Sequence, residues 1–210
     1  MTGASNASFF HCNFSRTGGN ALFFSRSVRG STVRACEFFS TGESAVVAYG
    51  DMDYETGSAL ARDYPSGLVI ERCLMHELGV WGKQTSAFFQ GLSGNNIFRN
   101  NVAFGGPRAM VNINDGSIGL STISGNVLFN GCRESHDHGN FNSWDRVPVQ
   151  HKSQDSTGVD SWSPGTSTIS GNLLMNSYGA GHGIDHDDGS MNYEDVGNVV
   201  AFSHACKGNL

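Results

Sequence analysis

Apolar residues along this chain fall in short runs, and Gly, Asn, Ser or Cys interrupts them at recurring distances. One run is repeated verbatim: Ser121-Thr122-Ile123-Ser124-Gly125-Asn126 returns as Ser167-Thr168-Ile169-Ser170-Gly171-Asn172. The first copy continues Val127-Leu128-Phe129-Asn130 and the second Leu173-Leu174-Met175-Asn176, so the likeness extends past the identical part. Looser copies share the frame of an apolar residue, two spacers, Asn or Cys, and more apolar residues. They run from Phe9 to Cys12, Val33 to Cys36, Ile70 to Cys73 and Ile97 to Asn100, with a last irregular copy ending at Asn198. Counted from these anchors, the gaps are 24, 37, 27, 26, 46 and 26 residues. The floor near 25 reads as one structural repeat, and the two long gaps as repeats with inserted loops.

A second strand is predicted downstream of each anchor, after a Gly-containing turn. It reads Ala21-Leu22-Phe23-Phe24, Ala45-Val46-Val47-Ala48, Ala87-Phe88-Phe89, Met110-Val111-Asn112-Ile113, Asn140-Phe141-Asn142-Ser143-Trp144 and Gly183-Ile184-Asp185. Short strands at even spacing, bounded by turn residues and without a helical period, predict an all-β solenoid of about seven coils. Leucine-rich repeats are the rival, but their L-x-x-L-x-L pattern is absent. Coils stacked about 4.8 Å apart would set each anchor over the last. Asn100, Asn126, Asn172 and Asn198 are then expected to form an internal amide ladder, continued by Cys12, Cys36 and Cys73 as small buried free thiols.

Composition supports this picture and removes alternatives. Gly (28 residues) and abundant Asn and Ser disfavour long helices, while 14 Phe argue for a packed core rather than disorder. The net charge of −6 and the scarcity of Lys (Lys83, Lys152 and Lys207 only) exclude a basic nucleic-acid surface. No apolar run is long enough for a transmembrane helix. The start lacks a charged and then apolar leader, so we expect one domain, 1–210, cut from a longer chain. No amphipathic helix is visible to cap either end, so stacking on further β-helix domains or subunits is expected.

On these repeats the chain resembles the right-handed parallel β-helix proteins of the pectin-lyase-like superfamily. The stretches 76–90 and 137–146 are similar to a subgroup of them, and Gly183-Ile184-Asp185-His186-Asp187-Asp188-Gly189-Ser190 is similar to the paired-Asp strand of polygalacturonases. The resemblance implies a secreted or extracellular protein that acts on a polysaccharide or other glycan. It does not choose the chemistry, since the superfamily holds pectate lyases, glycosidases, tailspikes and adhesins.

Candidate chemistry concentrates where the second strand turns polar. Asn112, Asn114 and Asp115 come first, then His136, Asp137, His138, Asn140, Asn142, Asp145 and Arg146, then His182, Asp185, His186, Asp187 and Asp188. In register these groups would share one face within about 10 Å. The leading expectation is a glycoside hydrolase acting on an acidic or plant/algal-type polysaccharide, with its acid and base drawn from Asp115, Asp145, Asp185 and Asp187, joined by His138. Asn112, Asn114, Asn142, Trp144, Arg146, His182 and Asp188 would bind substrate, with Trp144 and Trp162 offering stacking faces and Arg146 holding a uronate carboxylate. A polysaccharide lyase using Arg146 or Lys152 is one alternative, and a non-catalytic fibre, tailspike or adhesin segment is another. His136 and His138 with a carboxylate would suit zinc; Asp185, Asp187, Asp188 and Asn114 would suit Ca2+. The inserts, 51–66 with Tyr54, Arg62 and Tyr64, and 146–165 with Pro148, His151, Asp155, Asp160 and Pro164, are expected to wall a groove.

Overall fold

In six repeats one apolar side chain, Phe9, Val33, Ile70, Phe98, Ile123 or Ile169, lies inside a short strand, and in five of them the next residue is polar: Arg34, Glu71, Arg99, Ser124 and Ser170. That pattern suits a three-residue strand with a single inward position. Two residues on, the backbone turns through the left-handed region, at His11, Ala35, Arg72, Asn100, Gly125, Gly171 and Gly197, with φ between 51° and 64°. The residue after this bend is Cys12, Cys36, Cys73, Asn101, Asn126, Asn172 or Asn198. A further strand then leaves at an angle to the first. The repeat therefore holds two strands around its anchor, and the downstream segment is a third.

The computed structural model describes residues 1–51, 63–146, 165–179 and 181–203. These form a right-handed parallel β-helix with three sheets. The first sheet has seven strands, from Ser8–Phe10 to Tyr193–Val196, and the second seven, from Asn13–Ser15 to Val199–Ala201. The third has six, at Leu22–Ser25, Val46–Tyr49, Phe88–Gly91, Val111–Ile113, Gly139–Ser143 and His182–His186. Every pairing between these strands is parallel, joining each coil to the next. The core is a column of stacked side chains, among them Phe24, Phe38, Phe88, Phe98, Met110, Ile123 and Phe141, all essentially inaccessible. Phe14 lies flat on Phe38 and Phe88 on Phe98, at centroid distances of 4.8 and 5.5 Å.

The anchor column carries a hydrogen-bonded amide series. Asn101 donates to the Oδ1 of Asn126 (3.2 Å), Asn126 to that of Asn172 (2.9 Å), and Asn172 to that of Asn198 (2.9 Å). Each also donates to a carbonyl one coil back: Ile70, Phe98, Ile123 and, for Asn198, Ile169. Every Oδ1 further accepts a backbone amide, that of Cys73 on Asn101 being 2.9 Å. In the early coils thiols stand at this position, with Cys73 Sγ 3.7 Å from the Val33 carbonyl. Cys12, Cys36, Cys73 and Cys132 are free, and burial pushes the Cys73 and Cys132 thiols up to about 12, which keeps them protonated.

The expected ladder position Asn100 needs correction by one residue. Asn100 is exposed and occupies the left-handed bend, and Asn101 is the inward amide. Two adjacent Asn met two different demands, since Asn tolerates both the bend and the ladder. The expected first insert lies outside the described residues at 52–62, Tyr54 and Arg62 included, and the second at 147–164, with Pro148, His151, Lys152, Asp155, Asp160, Trp162 and Pro164.

Candidate functional site

Strand alternation on the third sheet sorts its residues into two rows. Leu22, Val46, Phe88, Val111, Phe141 and Ile184 are in register and face the core. The next residues, Phe23, Val47, Phe89, Asn112, Asn142 and Asp185, are in register on the outer face. This outer row is apolar for three coils and polar for the next three.

Over the polar part lies a cavity of about 630 Å3, lined by Gln84, Phe89, Arg108, Asn114, His138, Trp144, Arg146 and Asp187. Beneath it Asn142 donates to Asn112 Oδ1 at 2.9 Å, and Asn112 donates to Asn114 Oδ1 at 2.8 Å. Asp185 follows Asn142 in the same row and is fully buried.

Arg108 is the residue that the sequence pattern did not point to. It leaves the turn before Val111–Ile113 and is only 7% exposed. Its Nε has no hydrogen-bond partner among the described residues. Burial lowers its pKa, while the carboxylates of Asp185 and Asp187 act in the opposite sense. A guanidinium stays protonated under such conditions, so a buried positive charge borders the cavity. His138 lines the same cavity. Burial, and then the charge of Arg108, hold its pKa below the ordinary 6.5, against the opposing pull of Asn142, Asp137 and Asp187. Its Nδ1 is buried without a partner among the described residues. The ring is a neutral base beside a fixed cation.

The rim is an ordered group. The Arg146 guanidinium lies 4.8 Å from the Trp144 ring centroid and pairs with the Asp188 carboxylate. Arg146 N donates to Asp115 Oδ1 at 2.7 Å. Trp144 therefore shows one face to Arg146 and borders the cavity.

The structure brings together only part of the expected set. Asn114, His138, Trp144, Arg146 and Asp187 border the cavity, Asn112, Asn142 and Asp185 are buried in the row behind it and do not line it, and Asp188 braces its rim. Asp145 and Asp115 stand apart. Asp145 accepts the backbone amides of Gly116 (3.0 Å) and Ser117 (3.1 Å), one on each oxygen, and Asp115 holds the Arg146 amide. Both lie beyond the strand ends, where alternation no longer aims a side chain, and both fasten turns. His182 begins the last strand of the third sheet, opposite Gly139, and is not among the residues that line the cavity. His136 binds the Gly179 carbonyl at 2.7 Å, away from His138. Among the described residues no three His, Cys, Asp or Glu gather closely enough to hold a metal ion, so the zinc and Ca2+ sets do not assemble there.

Ser143, His186 and Asp195 also align as hydroxyl, imidazole and carboxylate, at 2.7 and 3.0 Å. Ser143 is 1% exposed on the core-facing row, which denies its hydroxyl to a substrate.

The sequence matches no protein-family model and no curated protein. Among solved structures the chain is similar to the A-modules of two mannuronan C-5 epimerases of Azotobacter vinelandii. For AlgE4 the identity is 10% and the TM-score 0.61, over 98% of this chain and 56% of that one. For AlgE6 the values are 14% and 0.59, over 98% and 55%. The chain thus spans a little over half of each module, and at these identities the likeness is one of fold.

Proposed function

We propose that this β-helix acts on an acidic polysaccharide and that its chemistry begins with removal of a proton next to a uronate carboxylate. The observation that carries the reading is the pairing of Arg108 and His138 on one cavity. A carbon-bound proton beside a carboxylate is removable only if the charge that develops on that carboxylate is stabilised. Arg108 offers a fixed cation for it. His138, kept neutral by burial and by Arg108, offers the base. The amide of Asn114, which lines the cavity, supplies a polar partner for sugar hydroxyls, and Trp144 a flat apolar face. Proton abstraction of this kind serves either elimination, when the glycosidic oxygen leaves, or inversion, when a proton returns to the opposite face. The two structural neighbours bear the name of a C-5 epimerase, which supports the second outcome. An extracellular setting suits such a polymer.

Hydrolysis is a second reading with its own observation. Asp185 lies on the last strand of the third sheet and Asp187 one residue past its end, with their Cα atoms about 6.6 Å apart if the chain stays extended. That is compatible with the carboxylate separation of an inverting glycosidase. Full burial of Asp185 and the loss of Asp115 and Asp145 to turns weigh against it.

Product analysis separates the readings. Polyuronates treated with the protein should yield unsaturated uronate ends or inverted residues. Arg108→Gln and His138→Asn should each lose about a hundredfold or more in rate. New reducing ends without unsaturation, abolished by Asp187→Asn but retained in His138→Asn, would replace this reading with hydrolysis.

A further inference from the structure

The groove over the third sheet does not stop at the polar cavity. A second cavity of about 540 Å3 continues it over the early coils, lined by Phe23, Val47, Tyr49, Phe89, Glu43, Lys83 and their neighbours. The two share Gln84 and Phe89, so they form one trough along the axis of the helix. Their characters differ. The floor of the second is Phe23, Val47 and Phe89 in register. Tyr49 lies beside them, stacked on Phe89 at 6.4 Å and 25°. Opposite Tyr49 in the next coil is Gly91, where a Cβ would stand 2.8 Å from Tyr49 Cε2. Glycine there lets the tyrosine ring lie across the neighbouring strand. Phe23 and Tyr49 each remain 41% exposed, an open aromatic platform with a polar border of Asn20, Ser44, Gln84 and Thr85.

The charges differ as well. The border of the aromatic half carries the Glu43 carboxylate, held at 2.6 Å by the Asn20 amide. The one cation among its described lining residues, Lys83, is engaged with Glu134 at 3.0 Å and with the Gly79 carbonyl at 3.0 Å. A uronate carboxylate entering this half would meet Glu43 and no unengaged cation among the described lining residues. The faces of a neutral pyranose would meet aromatic rings, and its hydroxyls a polar border. The polar half, with the Arg108 guanidinium whose Nε has no partner among the described residues, has the opposite preference.

We propose that the aromatic half binds uncharged sugar residues next to the reacting uronate, so that the substrate is a heteropolysaccharide in which uronates adjoin neutral sugars. The proposal rests on the uronate reading above and goes beyond it. Coils are about 4.8 Å apart, so the row from Phe89 to Asn112 passes from the neutral to the acidic subsite in one step.

Equilibrium binding of the full chain tests this. The probes are oligosaccharides of polygalacturonate and polymannuronate against oligosaccharides that alternate glucuronate with glucose or with N-acetylglucosamine. At least one alternating probe should bind about tenfold tighter than either homopolymer. Tyr49→Ala, an exposed side chain whose loss leaves the core intact, should remove about tenfold from that probe and leave the homopolymers unchanged. Glu43→Gln should narrow the gap by improving homopolymer binding. Arg108→Gln should weaken all probes. Homopolymers binding as tightly as the alternating probes, or Tyr49→Ala without effect, overturns this proposal; if Arg108→Gln still weakens every probe, the uronate reading stands without it. Alternating probes whose binding ignores Arg108→Gln overturn the uronate reading, and with it this one. Absence of binding to any uronate polymer overturns both.

Discussion

His138 sits where burial and the Arg108 guanidinium both oppose its protonation. Because the folded ring binds its proton less tightly than the unfolded ring, its neutral form adds stability above the ordinary value of about 6.5. That contribution is lost as pH falls through the lower folded value. A ring-proton NMR titration should place the wild-type midpoint below 6.5, and Arg108→Gln should move it up by removing the repelling charge. A midpoint that ignores the substitution would show that Arg108 and His138 do not act as a pair. Arg108 was hidden in the sequence for a physical reason. It sits in a turn among Gly, Pro and Ala, where no strand period tells which way a side chain points. Asp145 misled in the opposite way, since an acid two residues past the strand looks like a site residue until its oxygens are found on the Gly116 and Ser117 amides.

At the scale of the strand and its bend, two adjacent positions in each coil divide two demands, the chain reversal and the interior. The left-handed residue is Gly in the late coils and Ala, Arg, His or Asn in the others, and the residue after it faces inward as Cys or Asn. This division explains why the verbatim repeat was so readable, with Gly-Asn fulfilling both roles in order, and why Asn100-Asn101 was read one residue early. It also predicts the cost of breaking the series. Asn126 is 1% exposed; its Oδ1 accepts from Asn101 and its Nδ2 donates to Phe98 and Asn172. Asn126→Ala strands several buried polar groups and should destabilise by about 3 kcal/mol or more. Asn126→Cys should cost less, because a thiol holds this place in the early coils and reaches the same carbonyl. Urea midpoints of the two variants give the order, and equal loss in both would remove the ladder's hydrogen bonds from the account.

Across the whole molecule, stacking turns a local change of residue type into a surface. The outer row runs Phe23, Val47, Phe89, Asn112, Asn142, Asp185, and a continuous trough follows it. The other two outer faces carry different ladders. Glu71 lies between Arg34 and Arg99 on the first sheet, at 3.4 and 2.8 Å. Phe39, His76, Phe104 and Phe129 stack on the second, at centroid distances of 5.7, 5.3 and 4.7 Å. Among the described residues neither of these faces pairs a buried cation with a histidine, which is why the chemistry is proposed for the third sheet. The fold was legible because one coil constrains the next, and so was the apolar-to-polar change along the third sheet. The pairing of Arg108 with His138 was not, since turns from two coils supply them. Its central consequence is directly measurable. Polyuronates, including alternating ones, incubated with the protein in deuterium oxide should take up deuterium at the carbon that bears the carboxylate, or lose its hydrogen by elimination, and His138→Asn should stop both. Retention of that hydrogen in every uronate polymer that the protein binds would contradict the account.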